Sequence, residues 1–146
     1  MQSETARRHV GVPVLIKVNA NWCNLLDTLA SCLDAGANGV TAIDSIGPAL
    51  RVDVEMGQPL LGSFAWLPGE AIRPVALRVE AEICLAYQVP VIGTGGVSRA
   101  ENVVEMIMAG ATVVGVHTAP LLSGLGWLER RSTSSRAGWG NAAMLT

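Results

Sequence analysis

Lysine is nearly missing from this sequence. Among its 10 basic residues only Lys17 is one, so the position of that single ammonium calls for an explanation. Charge of either sign is scarce: 15% of the 146 residues are charged, against 50% hydrophobic. A chain so apolar is not a disordered tail. With 10 Lys+Arg against 12 Asp+Glu and a net charge of -2, it offers no general attraction to a phosphodiester backbone, and no nucleic-acid partner is expected. Cys23, Cys32 and Cys84 form no CxxC pair and no metal-like spacing, and an odd count describes no disulfide framework. We therefore expect no metal site, and a reducing, cytoplasmic location. The opening segment MQSETARRHV has no apolar run behind its charges, so no secretion signal is read. From Met106 to Leu128 formal charge is absent, over a length that can span a bilayer. His117, Pro120 and glycines 110, 115, 124 and 126 divide that run into a helix end, a strand and a loop, and no membrane span is expected.

What is present reads as one domain of alternating strands and helices. Residues 13–18, 39–44, 89–93 and 112–117 are short apolar runs rich in β-branched residues, and their continuity predicts buried strands of a parallel sheet. Between them, Leu25, Leu26, Leu29 and Leu33, then Ile72, Ala76, Val79 and Ile83, then Val103, Val104, Ile107 and Met108 repeat at helical spacing. Ser98 with Glu101 reads as a capping box opening the third helix, and Gly110 closes it. Two fragments recur, VPVL at 12–15 as VPVI at 89–92 and AGA at 35–37 again at 109–111, as in a duplicated strand–helix array. A long loop from about Ser45 to Gly69, holding Phe64 and Trp66, is of a length that is normally functional. The expected organisation is an extension over 1–11, four βα units of a (β/α)8 barrel over 12–122, and an irregular tail of small and polar residues over 123–146.

In a parallel β/α array the ligand site lies at the carboxyl ends of the strands, where helix N-termini expose free N–H groups. Those ends read Lys17-Val18-Asn19, Asp44-Ser45, Gly93-Thr94-Gly95-Gly96 and His117-Thr118. IGTGGVS at 92–98 is either a tight turn or a phosphate cradle of backbone amides. Thr118 at the next strand end favours the cradle, because adjacent final strands of β/α barrels form phosphate sites. An ammonium inside an apolar strand must reach solvent, a carboxylate or a ligand, so Lys17 either pairs with Asp44 across the neighbouring strand or faces an electron-rich cofactor. His117 is equally a structural or a ligand-binding histidine. Cys23 reads as a core or wall cysteine, and Trp66 and Phe64 as a wall over a planar ligand or as packing that pins the loop.

The segments PVLIKVNAN, DAGANGVTAIDSIG, GEAIRPVALR, PVIGTGGV and GATVVGVHTA follow one another in order. Over roughly residues 12–122 this series resembles the C-terminal half of the dihydroorotate dehydrogenase family, class 1 especially, and its dihydropyrimidine dehydrogenase relatives. The resemblance implies an FMN-dependent oxidoreductase of pyrimidine metabolism, acting on a CH–CH bond of a small pyrimidine-like ring. By position it assigns Lys17, Gly69, Gly95, Gly96, His117 and Thr118 to the cofactor, and Asp44 and Ser45 to the substrate. Three departures stand out: Asp44 replaces an Asn that contacts substrate, His117 replaces a Gly, and Ala65-Trp66-Leu67-Pro68-Gly69 keeps only Gly69 of a glycine-rich segment. An aspartate removes two N–H donors and adds a charge that repels the carboxylate of dihydroorotate. The family's catalytic base comes from the first half of its barrel, so no catalytic residue is assigned here. A complete barrel needs about 250 residues, and this chain is expected to be inactive alone. It is expected to be a truncated gene product lacking the N-terminal half, a subunit serving with a separate N-terminal half-barrel chain, or a half-barrel that pairs as a homo-oligomer, the other readings being a non-catalytic barrel-completing module and a flavin-free phosphate-binding enzyme.

Overall fold

A computed structural model describes residues 9–124 of the chain. Four strands, β1 (Leu15–Val18), β2 (Gly39–Ala42), β7 (Val91–Thr94) and β8 (Val113–Gly115), form one parallel sheet in the order β1-β2-β7-β8. Helices α1 (Leu25–Asp34), α2 (Arg73–Ala86) and α3 (Ala100–Ala109) alternate with them, and α4 (Thr118–Ser123) follows β8. Parallel strands joined by helical crossovers make a partial (β/α)8 barrel, as the apolar runs predict. β2 and β8 stop two residues short of their expected runs, where Ile43-Asp44 and Val116-His117 leave the ladder, whereas β1 and β7 begin two residues late and β7 runs one residue further.

Register sorts the side chains onto two faces. Val18, Ala42, Gly93 and Val114 lie in one row, and Lys17, Thr41, Ile92 and Val113 in the next, on the opposite face. The Val18 face is covered by helices: Val18, Val40, Ala42 and Val91 are buried with Leu29 of α1, Ala76, Val79 and Ile83 of α2, and Met106 of α3. Tyr87, just past α2, packs on this core and donates its hydroxyl to Leu26 O at 2.9 Å. The opposite face has no covering layer among the described residues, and Leu15 and Val113 on the two outer strands are 42% and 55% exposed.

The recurring fragments are structurally equivalent. VPVL leads into β1 and VPVI into β7, while each AGA ends a helix and leads into the paired strand, α1 into β2 and α3 into β8. Both middle glycines have positive φ, 92° at Gly36 and 116° at Gly110, a conformation that glycine adopts without a Cβ penalty. The opening of α3 differs from expectation. Its N-cap is Arg99, and Asn102 rather than Glu101 reaches back, its Oδ1 accepting the N–H groups of Ser98 at 3.2 Å and Arg99 at 3.0 Å. The stretch read as a loop is an arm of two small antiparallel ladders: β3 (Ile46–Ala49) pairs with β6 (Ala65–Leu67), and β4 (Val52–Asp53) with β5 (Gln58–Pro59). A short 3₁₀ turn, Glu70–Ile72, joins the arm to α2. Residues 1–8 and 125–146, which hold most of the expected extension and tail, lie outside the described residues.

Candidate functional site

Because the four strands run parallel, the residues that follow them gather on one edge of the sheet. There they enclose a cavity of about 300 Å³ whose lining includes Lys17, Asp44, Ser45, Gly69, Gly95, Gly96, His117 and Thr118. All eight residues that the resemblance assigns to cofactor or substrate thus meet in one place. A second hollow of about 500 Å³ continues from it past Glu70 and Ser98, sharing Gly69, Gly96 and Thr118.

At the β1–β2 side, Lys17 Nζ lies 2.9 Å from Asp44 Oδ1, so the ammonium has both a carboxylate partner and a place in the cavity wall. Asp44 Oδ1 also accepts the Ser45 N–H at 2.9 Å. The Lys17 hydrogen bond, aided by Ser45, holds the Asp44 carboxyl below its usual range despite partial desolvation. Asn19 does not line the cavity. Its Nδ2 donates to Ser45 O at 3.0 Å, tying the end of β1 to the segment that follows β2.

At the β7–β8 side the chain turns through Gly95 and Gly96, with φ of 126° and 80°. A Cβ on Gly96 would stand 2.7 Å from Arg73 Cβ and 2.9 Å from Gly69 O; only glycine lets this turn lie against the start of α2. Among the described residues, the N–H groups of Gly95, Gly96 and Val97 have no protein acceptor, so three adjacent donors remain for a ligand or water. Nearby, the Ser98 hydroxyl donates to Glu70. That bond, with Arg99 and Arg73 close by, keeps the Glu70 carboxyl low against some desolvation. Thr118, the first residue of α4 after β8, approaches with its Cγ2 3.5 Å from where a Cβ on Gly69 would be.

Trp66 lines the cavity from β6 and packs against Gly47 of β3, so it is both wall and pin. Phe64 is 70% exposed and stands outside the cavity. Cys23 is exposed on a separate depression beside Trp22 and Arg78, not in the core or the cavity wall as expected. The sequence reading missed Ile43 and Gly115 in the lining, held Thr94, Val97 and Pro68 only within longer candidate segments, and took Ile72, also there, as a helix-face residue only. Adjacency was the available signal, since Ile43 precedes Asp44, Thr94 precedes Gly95 and Pro68 precedes Gly69. No group of three potential metal ligands occurs among the described residues, and no helix there is long and apolar enough to cross a membrane.

A strand–helix array with a cavity at its strand ends is of the barrel class whose ligands sit at that face. More particularly, the family model for dihydroorotate dehydrogenase matches residues 2–132, and the chain belongs to that family. It is 41% identical over 122 residues to the dihydroorotate dehydrogenase B (NAD(+)) catalytic subunit of Methanopyrus kandleri, covering 80% of this chain and 38% of that protein. The corresponding subunit of Bacillus pumilus is 40% identical over 109 residues, covering 74% of this chain and 35% of that one. Dihydroorotate dehydrogenase A (fumarate) of Lactobacillus delbrueckii subsp. bulgaricus is 35% identical over 111 residues, covering 75% and 36%. The chain spans less than two-fifths of the length of these relatives.

Proposed function

We propose that this chain binds FMN and forms the cofactor-holding half of an oxidoreductase acting on a small pyrimidine-like ring. The single observation that carries the reading is the convergence on one cavity of the only lysine side chain and three backbone donors that have no acceptor among the described residues. The residues fit the group. The N–H groups of Gly95, Gly96 and Val97, with the Thr118 hydroxyl, would hold a phosphate, as consecutive amides hold anions in other proteins. Lys17 would stand against the ring system, and the two adjoining hollows are within the range of cofactor sites. When bound, FMN supplies a ring that takes up a hydride equivalent. The chain's own contribution is to anchor the phosphate, with Gly69 and His117 at the margin, to place an ammonium where negative charge develops, and to orient substrate through Asp44 and Ser45. The other strands of a closed barrel, and a base, would come from a separate half-barrel chain or a second copy.

Titrating the purified chain with FMN tests this. Bound cofactor should quench flavin fluorescence and raise the melting temperature, and Gly96→Ala, which puts a methyl against Arg73, should weaken binding by at least about tenfold. No FMN-dependent rise would overturn the reading. A rise matched by ribose 5-phosphate would transfer the site to a flavin-free phosphate ligand, a reading supported by the Lys17–Asp44 pair, which satisfies the ammonium without any ring.

A further inference from the structure

We propose that Asp44 is the specificity-determining residue of the cavity, selecting an uncharged ring that donates N–H groups and rejecting the same ring bearing a carboxylate. The inference deepens the reading of the cavity as a ring-binding site and rests on it. Among the described residues Lys17 and His117 are the only basic side chains in the lining, and Lys17 is held by Asp44 at 2.9 Å. That pair has no net charge. An entering carboxylate therefore finds the ammonium already taken and meets the carboxylate that took it.

Hydrogen-bond polarity points the same way. An ionised carboxylate only accepts, with about four lone-pair sites on its two oxygens. Lys17 and the Ser45 N–H both use Oδ1, which leaves acceptor capacity on a group that lines the cavity. The charge persists at neutral pH, because Lys17 and Ser45 hold the carboxyl low. The cavity is thus polarised: an acceptor at the β1–β2 side and, at the β7–β8 side, donors without an acceptor among the described residues. A ring that fits the first side must donate, as the N–H groups of a cyclic amide or imide do, and must bring no negative charge to it.

Uracil and orotate differ by one carboxylate and serve as probes in calorimetric titrations of the full chain, with and without FMN. Uracil should bind at least about tenfold more tightly than orotate. Asp44→Asn should erase or reverse that ratio, Asp44→Glu should keep it, and high salt should shrink it. The ion pair is half exposed, so neither variant is expected to unfold the chain. Orotate binding as well as uracil, an unchanged ratio in Asp44→Asn, or binding of neither ring overturns the proposal. The FMN titration separates the two claims: a chain that takes up FMN without a ring preference loses only the specificity inference. One that prefers uracil but ignores FMN loses only the flavin reading.

Discussion

Glu80 is the residue least at ease in this fold. Its side chain is fully buried beneath β7, and among the described residues neither carboxylate oxygen has a hydrogen-bond partner. The nearby Ala111 N–H, which donates to Met106 O at 3.0 Å, offsets only part of the desolvation, and burial pushes the carboxyl up to about 7. Cys84, one helical turn on, is pushed up by burial and by Glu80. Since the folded chain holds the Glu80 proton more tightly than the unfolded one, its contribution is fully present below about pH 4.5. It is then lost as pH rises to about 7. We expect stability to fall by on the order of 2–3 kcal/mol across that window. Glu80→Gln should flatten the profile, as read by urea unfolding at a series of pH values. The same carboxylate explains Gly93: a Cβ there would collide with Glu80 and stand 2.9 Å from Ala111 Cβ. Gly93→Ala should therefore cost about 1–3 kcal/mol in the same assay.

At the scale of elements, the start of α3 hangs on one buried amide. Asn102 accepts from the Ser98 and Arg99 N–H groups and donates to Glu105 Oε2 at 3.1 Å. Asn102→Ala should destabilise the chain by about 1–2 kcal/mol, while Glu101→Ala, at an exposed position, should change little. Chemical denaturation of the two variants checks the contrast. It also shows where sequence reading stops. Apolar spacing locates α1, α2 and α3, and burial of Leu29 and Ile83 follows the expected faces, whereas the fully buried apolar residue of α3 is Met106, which the expected set of Val103, Val104, Ile107 and Met108 leaves out. It assigns Met108 to the inner face and overlooks Asn102, because a side chain buried through its hydrogen bonds carries no hydrophobic signal; Met108 is exposed and Asn102 is not. The arm was illegible for another reason. Its strands are two to four residues long and pair with each other rather than burying an apolar face, so no period develops. The site was more readable than the arm, since parallel strands force their polar ends together whatever the loops do.

For the whole molecule, the important fact is a sheet with one covered face. The row Lys17, Thr41, Ile92 and Val113 has no layer over it among the described residues, and β1 and β8 are edges. On the arm Val54, Leu61 and Phe64 are 93%, 73% and 70% exposed. Apolar surface of this kind, with unpaired strand edges, favours association. Sedimentation of the chain alone should show dimers or larger species, and Val113→Glu on the outer edge should shift them toward monomer.

One lysine in 146 residues, lying in the cavity wall, also makes the protein its own reporter. An acylating reagent that modifies primary amines has one ε-amine to find, so a mass spectrum resolves its reaction as a single addition apart from the chain terminus. Whatever covers that nitrogen, a ligand or a companion chain, slows the labelling, and occupancy of the cavity becomes measurable without knowing what fills it.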